Sequence, residues 1–230
     1  MGDVAANYRA ILERIEEAAR RAGRDPKEVK LLAAAKSQDV GRVRSAIAAG
    51  VKLIGENYVQ EARAKKARLE TAAEWHMIGH LQRNKARLAL EIFDVIESLD
   101  GLQLARELDQ LGQRKGVKVR TFVEVNLAGE RTKSGIPGTE VDAFLGAIAN
   151  LPAISVEGLM TVPPLQQDPE KARPYFRALR ALQLRARELG IPNAPVRELS
   201  MGMTADYEVA VEEGATIVRI GTALFGPRNR

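Results

Sequence analysis

Cysteine is absent from all 230 residues, which excludes disulfides, thiolate catalysis and every cysteine-ligated zinc site. Histidine is nearly absent too: only His76 and His80 occur, so no histidine-rich metal centre is expected. Aromatic residues make up 4% of the chain, so the core has to be built from aliphatic side chains and alanine. No stretch reaches the roughly 18 uninterrupted apolar residues that a membrane span requires. The opening "MGDVAANYRAILERIEEAARRAGRD" is charged every few residues, unlike a secretory signal, and a cytoplasmic protein without a membrane partner is the expectation. Blocks of like charge are also missing. Lys and Arg outnumber Asp and Glu by 35 to 30, but they are spread along helical stretches, which suits small anions better than a nucleic acid. No Pro/Gly/Ser-rich linker or low-complexity tract divides the chain, so residues 1–230 are expected to form a single domain.

What the chain does have is a repeated unit, a short apolar or β-branched run followed by a helical pattern that closes on glycine. The strand-like runs fall at 29–35, 52–55, 74–79, 93–98, 117–125, 153–160, 196–201 and 216–221. Between them Val40, Val43 and Ile47 precede Gly50; Leu102, Ala105, Leu108 and Leu111 precede Gly112; and Phe176, Leu179, Leu182 and Leu184 precede Gly190. Strands alternating with helices pair in parallel through right-handed crossovers. Eight such units after an initial helix over 3–22 predict an α/β fold, a (β/α)8 TIM barrel with an extra N-terminal helix. A doubly wound sheet is the alternative.

In a barrel, the last residues of each strand and the loop after it meet at one rim, where such folds place their chemistry. That rim collects Lys36, "GENYVQEA", "GHLQRNK", "ESLD", "VNLAGERTKSG", "LMTVPP", "SMGMT" and "GTALFG" in order. The last two hold Ser200, Gly202, Gly221 and Thr222, small residues whose backbone N–H groups can approach an anion. Tight turns and helix caps use the same residues.

Lys36 ends the apolar run "LLAAAK". A snorkelling lysine would bury its stem there and send its ammonium to water. The alternative is a reactive amine: an apolar setting disfavours the charged form, and a neutral amine attacks a carbonyl to give a Schiff base. An anion cradle across the same rim suggests a carbonyl ligand that also bears a phosphate. Pyridoxal 5'-phosphate (PLP) is such a molecule, and Arg219, at the end of the eighth run, is placed where a guanidinium could face its ring nitrogen. Because Arg keeps its proton, it can only donate to an unprotonated ring nitrogen, which makes the cofactor a poorer electron sink.

The segments "AAAKSQ", "GENYVQE", "WHMIGHLQRNK", "VNLAGERTKSG", "GLMTVPP", "LSMGMTADYE" and "VRIGTALFGPR" together resemble the pyridoxal-phosphate homeostasis protein family, relatives of the barrel domain of alanine racemase. The likeness spans nearly the whole chain. Thr204, where many members have Ser, is a conservative departure. The resemblance implies PLP held on Lys36, Arg219 at the ring nitrogen, phosphate held by Ser200, Gly221 and Thr222, and Asn57 and Met160 along the cofactor's sides. His76, mid-run beside Trp75, reads as a packed and hydrogen-bonded core residue, and Tyr58 as a packing residue. His80 opens a rim loop and suits either a ligand contact or loop positioning. Lys85 reads as a solvated lysine, and so does Lys133 unless it captures a second aldehyde or phosphate.

Two function classes compete on these residues: a carrier that binds and supplies PLP without turnover, and a small racemase or decarboxylase. Racemisation needs a second base opposite Lys36, which in alanine racemase is a tyrosine, and none of Tyr8, Tyr58, Tyr175 and Tyr207 is evidently so placed. The chain closes on "FGPRNR", and no added β domain is expected after it. The expectation is therefore a monomeric, non-catalytic carrier, with PLP-requiring apo-enzymes as recipients. An aldolase using Lys36 on a phosphosugar would leave Arg219 without a task.

Overall fold

The computed structural model describes residues 3–130 and 134–227. Asp3 opens α1 (Val4–Arg21) by accepting the Ala5 N–H, and Ile11, Ile15, Ala18 and Ala19 form its buried stripe. Strand and helix then alternate as β1 (Lys30–Ala34), α2 (Val40–Ala48), β2 (Leu53–Glu56), α3 (Val59–Lys66), β3 (Glu74–Met77), α4 (Ala86–Ile92), β4 (Val95–Leu99) and α5 (Leu102–Lys115). The second half continues with β5 (Val119–Asn126), β6 (Ile136–Pro137), α6 (Val141–Ile148), β7 (Ile154–Met160), α7 (Arg173–Glu188), β8 (Glu198–Met203), α8 (Tyr207–Glu212), β9 (Ile217–Ile220) and α9 (Thr222–Phe225).

Every strand pair is parallel, in the order β4-β3-β2-β1-β9-β8-β7-β5, and β4 pairs with β5 to close the ring. Eight strands therefore make the predicted (β/α)8 barrel. The two-residue β6 only pairs in parallel beside the end of β5.

The pleat divides the apolar residues into two cores. Leu31 and Ala33 of β1 face the helical layer, whereas Leu32 joins Val95, Phe122, Met160 and Ile217 inside the barrel. Filling the bore with side chains makes it a packed interior, which leaves chemistry to the rim.

Two sequence expectations are corrected. Gly112 does not stop α5: the helix runs on to Lys115 and ends at Gly116, whose φ of 66° only glycine adopts freely. Gly112 is instead a contact point, since a Cβ there would lie 2.8 Å from the Ala153 Cβ. Leu184 is half exposed, because a two-residue step from Leu182 turns it off the helix's buried face.

Candidate functional site

Lys36 lies two residues beyond β1 and is half buried. It belongs to the turn that follows the strand at the rim end. The next residue, Ser37, takes the left-handed φ of 61°, a conformation that costs a non-glycine residue on the order of 1 kcal/mol or more.

An ion cluster holds that backbone from outside the strands. Lys65 of α3, buried, donates to the Ala35 carbonyl at 2.6 Å, to Glu56 Oε1 at 2.7 Å and to Glu61 Oε1 at 2.6 Å. The same Glu61 oxygen accepts the Ser37 N–H at 2.6 Å. Both peptide groups that flank Lys36 are thus tied to one cluster. Burial pushes the Glu56 carboxyl up to about 7, against the opposing pull of Lys65.

Arg219 stands on β9, the strand next to β1, in register with Leu32. It is fully enclosed, and donates from Nη1 to Ser200 Oγ at 2.7 Å and from Nη2 to the Thr161 carbonyl at 2.7 Å. Ser200 in turn donates to Glu97 Oε2 at 2.5 Å. Burial lowers the pKa of Arg219, while the carboxylates of Glu97, Glu124 and Asp206 favour its charge.

The other expected contact residues lie on the same arc of strands. Asn57 follows β2, and its buried Oδ1 has no hydrogen-bond partner among the described residues, an acceptor awaiting a donor. Gly79 presses on it: a Cβ there would sit 2.7 Å from the Asn57 carbonyl oxygen. Met160 ends β7 wholly buried within the bore cluster. Gly221 precedes α9 half exposed, and Thr222 opens that helix exposed, so both are open to an anion at the rim. Ala223 donates its N–H to Thr204 Oγ1 at 3.3 Å, which draws Thr204 to the same place. Gly202 has φ of 90° and faces the other way: a Cβ would lie 2.5 Å from the Ala210 Cβ, so this glycine admits α8.

These residues therefore meet along β2, β1, β9, β8 and β7, which are consecutive around the ring. The donor set suits PLP: a lysine amine, an arginine in the bore, an unmatched acceptor on Asn57, and a rim of small residues. Across the mouth, Glu124 of β5 is pushed up to about 7 by burial and by Asp100, against Arg219 and His80.

His76 is buried and hydrogen-bonded within the bore, to Glu97 at 2.6 Å and to Glu74 at 2.7 Å. Burial disfavours its charge, but those two carboxylates outweigh it and hold the imidazole at about 9. His80 bonds Asp100 Oδ2 at 2.8 Å and is reached by Ser134 Oγ at 3.3 Å, tying three rim loops together. Lys85 is half buried and lines a cavity with Asn57, Tyr58 and His80. Tyr58 is 63% exposed and so does not pack, in contrast to the sequence reading; it stands at the start of α3 with its ring at the edge of that cavity. Lys133 lies outside the described residues. Tyr8 donates to the Gly50 carbonyl at 3.2 Å, and the buried Tyr207 ring, at the start of α8, lies under Arg14 with its hydroxyl unpaired among the described residues.

Glu97, Thr161, Glu61 and Lys65 were not singled out from the sequence. A charged residue inside a β-branched run, as in "FDVIES", was the available signal for Glu97. Nothing local marks the other three.

Comparison with known proteins bears on the fold and the family. A protein named "Pyridoxal phosphate homeostasis protein" from Aquifex aeolicus is 43% identical over 219 residues, covering 95% of each chain. One of the same name from Escherichia coli is 37% identical, covering 100% of this chain and 98% of its own. PipY of Synechococcus elongatus, solved with PLP bound, superposes with a TM-score of 0.81 at 37% identity over 94% of this chain and 100% of its own. Alanine racemase of Clostridium difficile, at 14% identity, shares the fold alone, with a TM-score of 0.74 over 96% of this chain and 57% of that one. Since the family described as "Alanine racemase, N-terminal domain" matches residues 6–229, nearly the full length, the chain belongs to that family.

Proposed function

We propose that this chain, acting over residues 1–230 as one domain, is a non-catalytic PLP-binding protein of intracellular PLP homeostasis. Lys36 would hold the cofactor as a Schiff base through its Nζ. Arg219 serves the ring nitrogen, Gly221 and Thr222 hold the phosphate with Ser200 beneath them, and Asn57 and Met160 flank the ring. The observation that supports this reading is the adjacency of β1 and β9: Arg219 is level with Leu32, and Lys36 follows four residues later, past the end of the neighbouring strand. The names of the relatives and the PLP in PipY support it. When bound, PLP supplies an electrophilic carbon and a ring that can accept electrons from it. Arg219 cannot surrender a proton to that ring, which restrains the second property. Tyr8 is committed to the Gly50 carbonyl and the Tyr207 ring lies under Arg14, which supports a role without either tyrosine as a second base.

The experiment is the absorption spectrum of the protein as purified, followed by borohydride reduction and peptide mass mapping. The expected result is a visible band that reduction removes, with a pyridoxyl group on Lys36. The same band in Lys36→Ala overturns the assignment.

A small PLP-dependent racemase or decarboxylase is the second reading, and the observation in its favour is Glu124, a carboxyl in the mouth held near neutrality. Incubation with L- and D-amino acids and chiral analysis separates the two. Turnover at about 1 per second or faster establishes the enzyme.

A further inference from the structure

A column of alternating charges crosses the bore from floor to rim. At the floor, Arg120 binds Glu157 Oε1 at 2.8 Å and Glu74 Oε2 at 2.9 Å. Glu74 binds His76 Nε2 at 2.7 Å, and His76 Nδ1 lies 2.6 Å from Glu97 Oε1. Glu97 accepts from Ser200, and Ser200 accepts from Arg219. A third floor pair, Lys30 with Glu198 at 2.7 Å, stands beside this path.

The function proposed above uses Arg219 and leaves His76 and Glu97 without a task. Yet the direction of every hydrogen bond above them depends on one proton. Both nitrogens of His76 face carboxylate oxygens, and neutral imidazole has a single N–H to offer. An imidazolium satisfies both, and it makes the column neutral: Arg120, His76 and Arg219 against Glu157, Glu74 and Glu97. Beside the cation, Glu97 stays an anion and only accepts. The Ser200 hydroxyl must then spend its proton on Glu97 and turn its lone pairs to Arg219. If Glu97 were protonated, the hydroxyl could be driven round so that donor faced donor at Arg219.

We propose that His76 is the positioning residue for the arginine at the mouth: as an imidazolium it keeps Glu97 an acceptor, so that Ser200 anchors Arg219 instead of a ligand. This inference rests on the reading of Arg219 as the ring-nitrogen partner, and it refines the place of Ser200, whose hydroxyl proton is then taken up by Glu97. The phosphate is left to Gly221 and Thr222, with Thr204 beside them. The proton of His76 has its way out at the floor, where the Glu74 and Arg120 side chains are 34% and 39% exposed, and not at Arg219. A ligand covering the mouth does not block that route.

The test begins without cofactor. Nitrogen-15 NMR of the full-length, cofactor-free protein is expected to show both His76 nitrogens protonated at pH 7.5. A neutral ring at that pH overturns the inference whatever PLP does. The second measurement is equilibrium binding of PLP between pH 7 and 10 to the wild type, His76→Gln and Ser200→Ala. The wild type should weaken as His76 loses its proton near pH 9, because a neutral ring leaves one nitrogen lone pair against a carboxylate and no longer holds Glu97 in place beneath Ser200. Both variants should bind on the order of tenfold more weakly at pH 7.5 and lose that step in the profile. Ser200→Ala moves no charge, so it decides the matter if His76→Gln fails to fold. Folded variants that keep the wild-type affinity and profile would leave the column as a structural plug and overturn the proposal. A wild type that binds no PLP at any pH refutes the ring-nitrogen reading instead, and the NMR result then decides the state of His76 alone.

Discussion

Replacing Lys65 by methionine retains the apolar stem and deletes the ammonium that ties Glu56, Glu61 and the Ala35 carbonyl together. Three bonds of 2.6 to 2.7 Å are lost from a site of which Lys65 and Glu56 are wholly enclosed. Removing one partner of a buried ion pair costs about 3–5 kcal/mol, most of it from the stranded charge. Here the stranded group has an escape. Glu56 already sits at about 7, so without Lys65 it takes up a proton at neutral pH and the cost falls to the lower end, about 3 kcal/mol. For a chain of this size that is a drop in Tm of roughly 6–12 °C. The sign with pH follows from the same carboxyl. A group whose folded pKa is raised stabilises the fold below its open-chain value and loses that contribution as pH rises through the folded one. The variant should therefore lose more stability at pH 8.5 than at pH 6, and Glu56→Gln in the same background should flatten the difference. Thermal and urea denaturation at both pH values are the assay. A Tm within about 2 °C of the wild type, or a deficit that does not grow with pH, would refute the reasoning.

His76 makes the wild type itself pH-dependent: an imidazole held at about 9 against about 6.5 in the open chain adds about 3 kcal/mol. That contribution is complete below pH 6.5 and is lost between there and 9, so urea midpoints should fall over this range and not in His76→Gln. Gly202→Ala forces a side chain into φ of 90° and into the Ala210 Cβ, and should destabilise by about 2–4 kcal/mol in chemical denaturation. Thr222→Trp, at an exposed position, should leave Tm unchanged and weaken PLP binding by about 1–3 kcal/mol, read by ultrafiltration. Phe122→Ala empties the centre of the bore and should cost about 3–5 kcal/mol, seen as a lower urea midpoint.

The eight strands could be placed from the chain alone because each is a short apolar run bounded by turn residues, and a parallel barrel strand, covered on both sides, needs no alternation to reveal it. Lys36 was visible for a related reason: a charge at the end of such a run has few ordinary explanations. Arg219, inside "TIVRIG", was visible in the same way. Helix ends were less legible. Gly112 looked like a stop because glycine usually is one, but its missing side chain answers to Ala153 and Val119, residues apart in sequence. Tyr58 looked like packing because aromatics usually pack, and the rim left it no neighbour to cover it.

Period, composition and glycine spacing are properties of neighbouring residues, so the sequence by itself determined the element order, the barrel class and the strand ends that face the rim. Partnerships across the ring are not local. That Glu97 meets His76, Ser200 and Arg219, from four different strands, or that Lys65 reaches back to the peptides around Lys36, depends on strand register and barrel closure. Only the closed tertiary structure decides which charges share the dry bore, because only there does each one acquire the partner that makes its burial possible.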